Sequence, residues 1–170
     1  AVSRQLIDTA LAALTNLDHR GATGAEPDTG DGAGILVQVP DRFLRAELGA
    51  VLPPAGHYAV GLAFMPVETL AAEKAQAAIE NIVDDEGLRV VAWRDVPVRP
   101  DCLGVSSRAV MPRFRQLVVA DEAGSAGIEL DRRTFVVRKR VEHELDDDIA
   151  TYLPSLSART LVYKGMLTTP

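Results

Sequence analysis

Between Tyr58 and Met65 the chain has no polar face. Tyr58, Val60, Leu62 and Phe64 alternate with Ala59, Gly61 and Ala63. A strand that is apolar on both sides has to be covered on both sides. Its small face suits the close approach of a helix, and a helix pattern follows at once. Glu68 to Asp85 is alanine-rich, carries Leu70, Ile79, Ile82 and Val83, and is closed by Glu86-Gly87. The chain therefore contains at least one buried strand packed against its own following helix.

Other segments extend this pattern. Leu6, Ile7, Ala10, Leu11, Leu14 and Leu17 fall on one face of an N-terminal helix. Ile35 to Val39 has strand length. Pro40 stops it, Asp41 is an N-cap candidate for a helix over 42–48, and Gly49 ends that helix. Leu88 to Trp93 reads as a strand, Pro97 and Pro100 mark a loop, and Arg113 to Val119 reads as another strand. Asp121 to Gly127 reads as a turn. Thr134 to Leu145 mixes strand-like FVV with helix-like RKRVEHEL and is taken as a helix. Asp146 to Asp148 reads as a solvated acidic turn. Tyr152 to Leu156 and Thr160 to Lys164 flank Ser157-Ala158-Arg159, which suggests a hairpin. Strands alternating with helices give a mixed α/β or α+β class.

Bulk properties remove several function classes. The 170 residues suffice for one domain with a real core. The net charge of −6 argues against a nucleic-acid surface, which needs a basic field. No apolar run approaches the ~20 residues that span a bilayer, and no signal peptide is visible. A single cysteine rules out an internal disulfide and fits a reducing cytoplasm. There is no Cys/His cluster for a metal, and His19, His57 and His143 are far apart in sequence.

The segment from Leu14 to Ile35, LTNLDHRGATGAEPDTGDGAGI, holds Gly21, Gly24, Gly30, Gly32 and Gly34 together with three aspartates, one glutamate, His19 and Arg20. Glycine permits positive φ and close approach of other groups to the backbone. Gly30, Gly32 and Gly34 do not make a phosphate-binding loop, because the Lys-Ser/Thr ending is missing. They do not make a dinucleotide turn either, because the strand follows the glycines, and Asp28 and Asp31 would repel phosphate. A tight turn at a sheet edge is the better reading.

LDHRGA followed by GDGAGI resembles the start of the glutaminase domain of glutamate synthase, a class II glutamine amidotransferase. WRDVPV at 93–98, RKRVE at 138–142 and SLSARTLVYKGML at 155–167 are similar to the same branch, in the same order. The resemblance covers nearly the whole chain, so residues 1–170 are expected to be part of one amidotransferase domain. It implies the N-terminal-nucleophile hydrolase fold, an α+β αββα sandwich that is incomplete here. It also implies a chemistry. An N-terminal cysteine thiolate attacks the glutamine amide with its own α-amine as base, and the thioester is then hydrolysed to release ammonia. Backbone donors of an Asn-Gly segment meet the oxyanion, and an Arg and an Asp hold the substrate's carboxylate and amine.

Ala1 has no nucleophilic side chain. The resemblance places the cysteine just upstream, and the Asn-Gly, Arg and Asp residues downstream of Pro170. The chain is thus expected to be a segment of a longer protein and inactive alone. His19, Arg20, Gly21, Asp31 and Gly32 are the expected active-site scaffold. Arg20 either holds the nucleophile loop or pairs structurally with Glu26, Asp28 or Asp31, and the two roles are compatible. His19 reads as an ordering hydrogen-bond donor rather than a base. Tyr163, Lys164 and Gly165 are candidates for the substrate entrance, although a lysine ending a strand is usually solvated.

Cys102 lies in RPDCLG, more than forty residues from His57 and from His143, and reads as an unreactive thiol. Arg132, Arg133, Arg138, Lys139 and Arg140, with Glu129, Glu142 and Glu144, read as a solvated helix face with intrahelical ion pairs. The alternative is a domain contact within the parent. For that parent the resemblance implies flavin mononucleotide and an iron–sulfur cluster outside this segment. It also implies glutamine as substrate, the remaining domains of the large subunit, and a reductase subunit or ferredoxin as electron source. The competing readings are a non-catalytic amidotransferase-like domain that binds a partner, and another class II amidotransferase, such as an asparagine or phosphoribosylamine synthase.

Overall fold

The computed structural model describes residues 3–17, 32–145 and 150–165. Two compact units are distinguished. The larger comprises residues 36–98 and 112–163, and the smaller residues 1–35, 99–111 and 164–170.

The larger unit is built on a four-stranded antiparallel sheet in the order β3-β4-β2-β5: β2 is Tyr58–Met65, β3 Arg89–Asp95, β4 Arg113–Ala120 and β5 Tyr152–Ser157. The strand without a polar face, β2, is central. It pairs with β4 from Tyr58↔Ala120 to Met65↔Arg113, and with β5 from Val60↔Ser157 to Phe64↔Tyr152. The helices α3 (Thr69–Asp85) and α5 (Gly127–Glu144) cover one face. Their Ile79, Val83, Leu130 and Val137 pack with Ala59, Ala63 and Met65 of β2 and with Leu117 and Val119 of β4. The opposite face carries Tyr58 and Val60 of β2 and Val118 and Ala120 of β4. These join Leu44 of α2 (Asp41–Leu48) and Leu161 of β6 (Thr160–Gly165), with Val37 of β1 (Ala33–Gln38) packed against them. β1 and β6 form a separate two-stranded sheet. Burying each large apolar side chain in these two clusters contributes about 1.5–3 kcal/mol.

Local chemistry sets the element ends. Glu68 caps α3: its carboxylate accepts from the backbone amides of Leu70 (2.9 Å) and Ala71 (2.6 Å), which holds its pKa below the ordinary value. Gly87, at φ +65°, turns the chain from α3 toward β3. Asp41 is not the N-cap that its sequence position suggests. It is the first residue of α2, and its carboxylate accepts from Arg45 Nε (3.1 Å) and from the Tyr58 hydroxyl (3.0 Å). Leu70, at the first turn of α3, is exposed.

Two further expectations change. α5 starts at Gly127 rather than Thr134, because Asp121 organises the turn before it. The buried Asp121 carboxylate accepts from the amides of Ala123 (3.0 Å) and Ser125 (3.3 Å) and pairs with Arg133. Leu130, Thr134, Val137 and Val141 then make the buried stripe of one continuous helix. The expected hairpin is a corner between sheets, with β5 beside β2 and β6 beside β1. The Ser157 hydroxyl accepts from the amides of Arg159 (3.0 Å) and Thr160 (3.1 Å), and Asp131 of α5 accepts from Ser157 Oγ (2.9 Å) and the Ala158 amide (2.6 Å). The basic residues of α5 are also more than a solvated face. Lys139–Glu142 and Arg140–Glu144 are intrahelical pairs, but Arg140 also binds Asp85 and Glu86 of α3, and Arg133 donates to the carbonyls of Glu86 and Gly87.

The Asp121 turn has a pH signature. Hydrogen bonds from the Ser125 hydroxyl, the backbone amides and Arg133 hold its carboxyl at about 2, against an ordinary 3.8. A depressed folded pKa contributes stability that is complete above the unfolded value and lost as pH falls through the folded one. Asp121→Ala should therefore cost about 2 kcal/mol at neutral pH. The gap between variant and wild type in thermal melting should close as pH drops from about 4 toward 2.

In the smaller unit, α1 (Arg4–Asn16) is capped by Ser3, whose hydroxyl accepts from the Leu6 amide. Its apolar face, with Leu6, Ile7 and Leu11, is exposed. The segment 99–111, which follows the loop marked by Pro97 and Pro100, holds a 3-10 turn at Pro100–Cys102 and a short helix α4, Val105–Ala109. The acidic turn expected at Asp146–Asp148 lies outside the described residues.

Candidate functional site

The two motifs richest in expectations are far apart in sequence, and the β1–β6 ladder relates them. The Val39 amide, just past β1, donates to the carbonyl of Arg159, just before β6 (3.0 Å). The end of β1 therefore meets the beginning of β6, and the strands run antiparallel. It follows that the start of β1, with Gly32 before it, and the end of β6, with Lys164 and Gly165, share the other end of the ladder. The smaller compact unit contains both.

Gly32 enters β1 at φ +106°, a backbone conformation that favours glycine. Gly34, expected in the same turn, lies inside β1, and Gly30 lies outside the described residues. His19, Arg20, Gly21 and Asp31 lie outside the described residues. Along β6 exposure rises from Leu161 toward Lys164. Leu161 is fully buried, Tyr163 is half-buried against the same apolar cluster, and Lys164 is exposed. Gly165 is the last residue of the strand.

The surroundings of Tyr163 were not anticipated from sequence. Its hydroxyl accepts from Gln116 Nε2 at 2.6 Å. Gln116 Oε1 in turn accepts from Arg94 Nη1 at 3.0 Å, and Arg94 donates to Glu47 Oε2 through Nε (3.0 Å) and Nη2 (2.5 Å). The Arg94 guanidinium also lies over the Phe43 ring, 5.2 Å from its centroid. This relay crosses from α2 through β3 and β4 to β6. Gln116 is fully buried, and burial raises the pKa of Tyr163, so its phenol stays protonated. The sequence signal was available in FRQLVVA, where a glutamine takes the face that period two assigns to Val118 and Ala120.

WRDVPV acquires a structural meaning from the same alternation. Trp93 faces α3 and donates through Nε1 to Glu80 (2.8 Å), with Arg115 over its ring at 5.0 Å. Arg94 faces the relay. Asp95 pairs with Arg113 (3.1 Å) and Arg115 (3.2 Å).

Cys102 is exposed. Among the described residues no group of three or more His, Cys, Asp or Glu side chains could hold a metal ion. Among them, too, no helix is long and apolar enough to cross a membrane. One cysteine in the whole sequence cannot supply the several thiolates of an iron–sulfur cluster. The residues present do not fit that group.

Comparison with known proteins agrees with this picture. The family model described as glutamine amidotransferases class-II matches residues 1–170. The chain is 39% identical over 165 residues to ferredoxin-dependent glutamate synthase 2 of Synechocystis, covering 95% of this chain and 10% of that protein. It is 36% identical over 169 residues to the NADPH glutamate synthase large chain of Bacillus subtilis (98% and 11%). It is 35% identical over 175 residues to the NADH glutamate synthase of Schizosaccharomyces pombe (98% and 8%). The chain thus spans about a tenth of the length of these curated relatives.

Proposed function

The chain belongs to the class-II glutamine amidotransferases, and we propose that it is a segment of the glutaminase domain of a glutamate synthase large chain. In this reading the full domain hydrolyses glutamine, and the ammonia feeds reductive formation of glutamate from 2-oxoglutarate elsewhere in the protein. The observation that carries it is similarity over 95–98% of the chain to proteins named glutamate synthase. Relatives named for ferredoxin, NADPH and NADH match at 39%, 36% and 35% identity. The segment is therefore common to relatives named for all three electron donors.

The roles follow from the resemblance and from the ladder. The nucleophile is an N-terminal cysteine outside these residues. His19, Arg20, Gly21, Asp31 and Gly32 shape the loop beside it, and Tyr163, Lys164 and Gly165 line the approach to the glutamine site. The common ladder end of Gly32 and Lys164 supports one site made from both motifs. Flavin mononucleotide and the iron–sulfur cluster belong to the remaining domains, with a reductase subunit or ferredoxin as redox partner. The expected compartment is the cytoplasm.

The test uses the full-length protein. It should release ammonia from glutamine, and a thiol alkylator should abolish that release. Cys102→Ser should leave the rate within a few-fold of wild type, because Cys102 is internal and has no α-amine beside it. The 170-residue polypeptide alone should release none. A full-length protein that binds a partner but never hydrolyses glutamine would favour the non-catalytic reading. Loss of several orders of magnitude in Cys102→Ser would show that the wrong nucleophile has been assigned.

A further inference from the structure

Gln116 is a fully buried amide on the face of β4 that otherwise carries Val118 and Ala120. Burying such a group is costly unless every partner is met, and apolar residues of similar volume would usually serve stability as well or better. The relay meets those partners in one orientation only. Arg94 has donors and no acceptors, so the carboxamide oxygen of Gln116 must face it and the NH₂ must face Tyr163. Glu47 fixes Arg94 in turn through two hydrogen bonds.

We infer that the Glu47–Arg94–Gln116–Tyr163 relay is a positioning device that sets the register of β6 and so places Lys164 and Gly165 for glutamine binding. The inference rests on the glutaminase reading above. A two-stranded ladder such as β1–β6 is only marginally stable by itself. A slip of one residue would turn Lys164 inward and Tyr163 outward. The four-stranded sheet prevents this at two adjacent residues of β6. The Val162 amide donates to Ser155 Oγ of β5 (3.2 Å), and the Tyr163 hydroxyl accepts from Gln116 of β4 (2.6 Å). The second tie lies one residue before Lys164 in β6.

The test compares Gln116→Met, Tyr163→Phe and the double variant in the full-length enzyme, with Glu47→Gln at the half-exposed end of the relay. Wild type is assayed first: absence of glutamine hydrolysis there removes the glutaminase reading itself, before any variant is compared. With hydrolysis present, Gln116→Met leaves Arg94 Nη1 without its acceptor, so it should melt a few degrees below wild type, and it should raise the KM for glutamine on the order of 10-fold while leaving ammonia-dependent synthesis unchanged. The double variant should be little worse than either single one, because the groups act as a unit. Unchanged glutamine kinetics in both single variants would overturn the inference. So would a parallel fall of both activities with the melting temperature, which would reduce the relay to packing. If Gln116→Met does not fold, Glu47→Gln decides: a few-fold rise in the KM for glutamine at unchanged melting temperature supports the relay, and no change overturns it.

Discussion

Replacing Gly61 with alanine should destabilise the protein by about 3 kcal/mol or more, at the upper end of overpacking effects. Gly61 lies at the middle of β2, opposite Leu156 of β5. A Cβ built there would be in hard overlap with the carbonyl oxygen of Ser155, and would also press on Leu156 Cδ1 at 3.1 Å and Leu156 Cα at 3.2 Å. Two of these three atoms are backbone, and they cannot swing away as the end of a flexible side chain could. Relief requires β5 to peel from β2. That would draw Leu153 and Leu156 out of the core and strain the Ser157 corner that leads into β6. Against a total stability of roughly 5–15 kcal/mol, such a loss is severe. Gly124→Ala is the matched control. It sits at φ +85° with nothing near a built Cβ, so only backbone strain applies, about 1–2 kcal/mol. Thermal melting of the two full-length variants should rank them clearly. Equal melting temperatures would mean that the β2–β5 approach is softer than its geometry implies.

Gly61 also illustrates what the sequence could and could not carry. The alternation of Tyr58, Val60, Leu62 and Phe64 with small residues made a strand covered on both sides legible without any fold in mind. The small face was assigned to helix packing, and Ala59 and Ala63 do pack in the helix-side core. The tightest constraint on Gly61, however, comes from a neighbouring strand about 95 residues later in the chain. Periodicity reports a residue's own face and is silent about the partner strand. The same limit explains the corner at Ser157-Ala158-Arg159. Two strand patterns with a short polar link look like a hairpin, and only the occupied edge of β2 tells that β5 and β6 diverge. The start of α5 was missed for a different reason. Asp121 collects the turn amides through its side chain, which lets a helix begin in a stretch, IELDRR, with a weak apolar stripe. Gln116 was overlooked because an apolar run was read as a run, without asking what its single amide would bond. The resemblance in HRG and YKG names the residues proposed for the site, because motif wording can be read in a chain where pairing topology cannot.

Arg20→Lys in the full-length protein should impair glutamine-dependent glutamate synthesis on the order of 100-fold while sparing synthesis from added ammonia. The expectation comes from the resemblance of LDHRGA to the loop beside the nucleophile. Arginine offers a planar, multi-donor fork that can tie carbonyls and carboxylates of a loop at once. Lysine keeps the charge and loses the fork. A loop held less tightly lets the nucleophile drift, and a misplacement of ~1 Å can cost ~100-fold in rate. Synthesis from ammonia bypasses that step, because in the proposed parent reduction takes place in other domains. Measuring both activities on one preparation therefore separates a local lesion from a global one. A parallel fall of both, with a lower melting temperature, would make Arg20 a structural ion-pair partner of Glu26, Asp28 or Asp31. If neither activity changes, the HRG turn does not hold the nucleophile, and the scaffold role passes to the Gly32 and Lys164 end of the ladder alone.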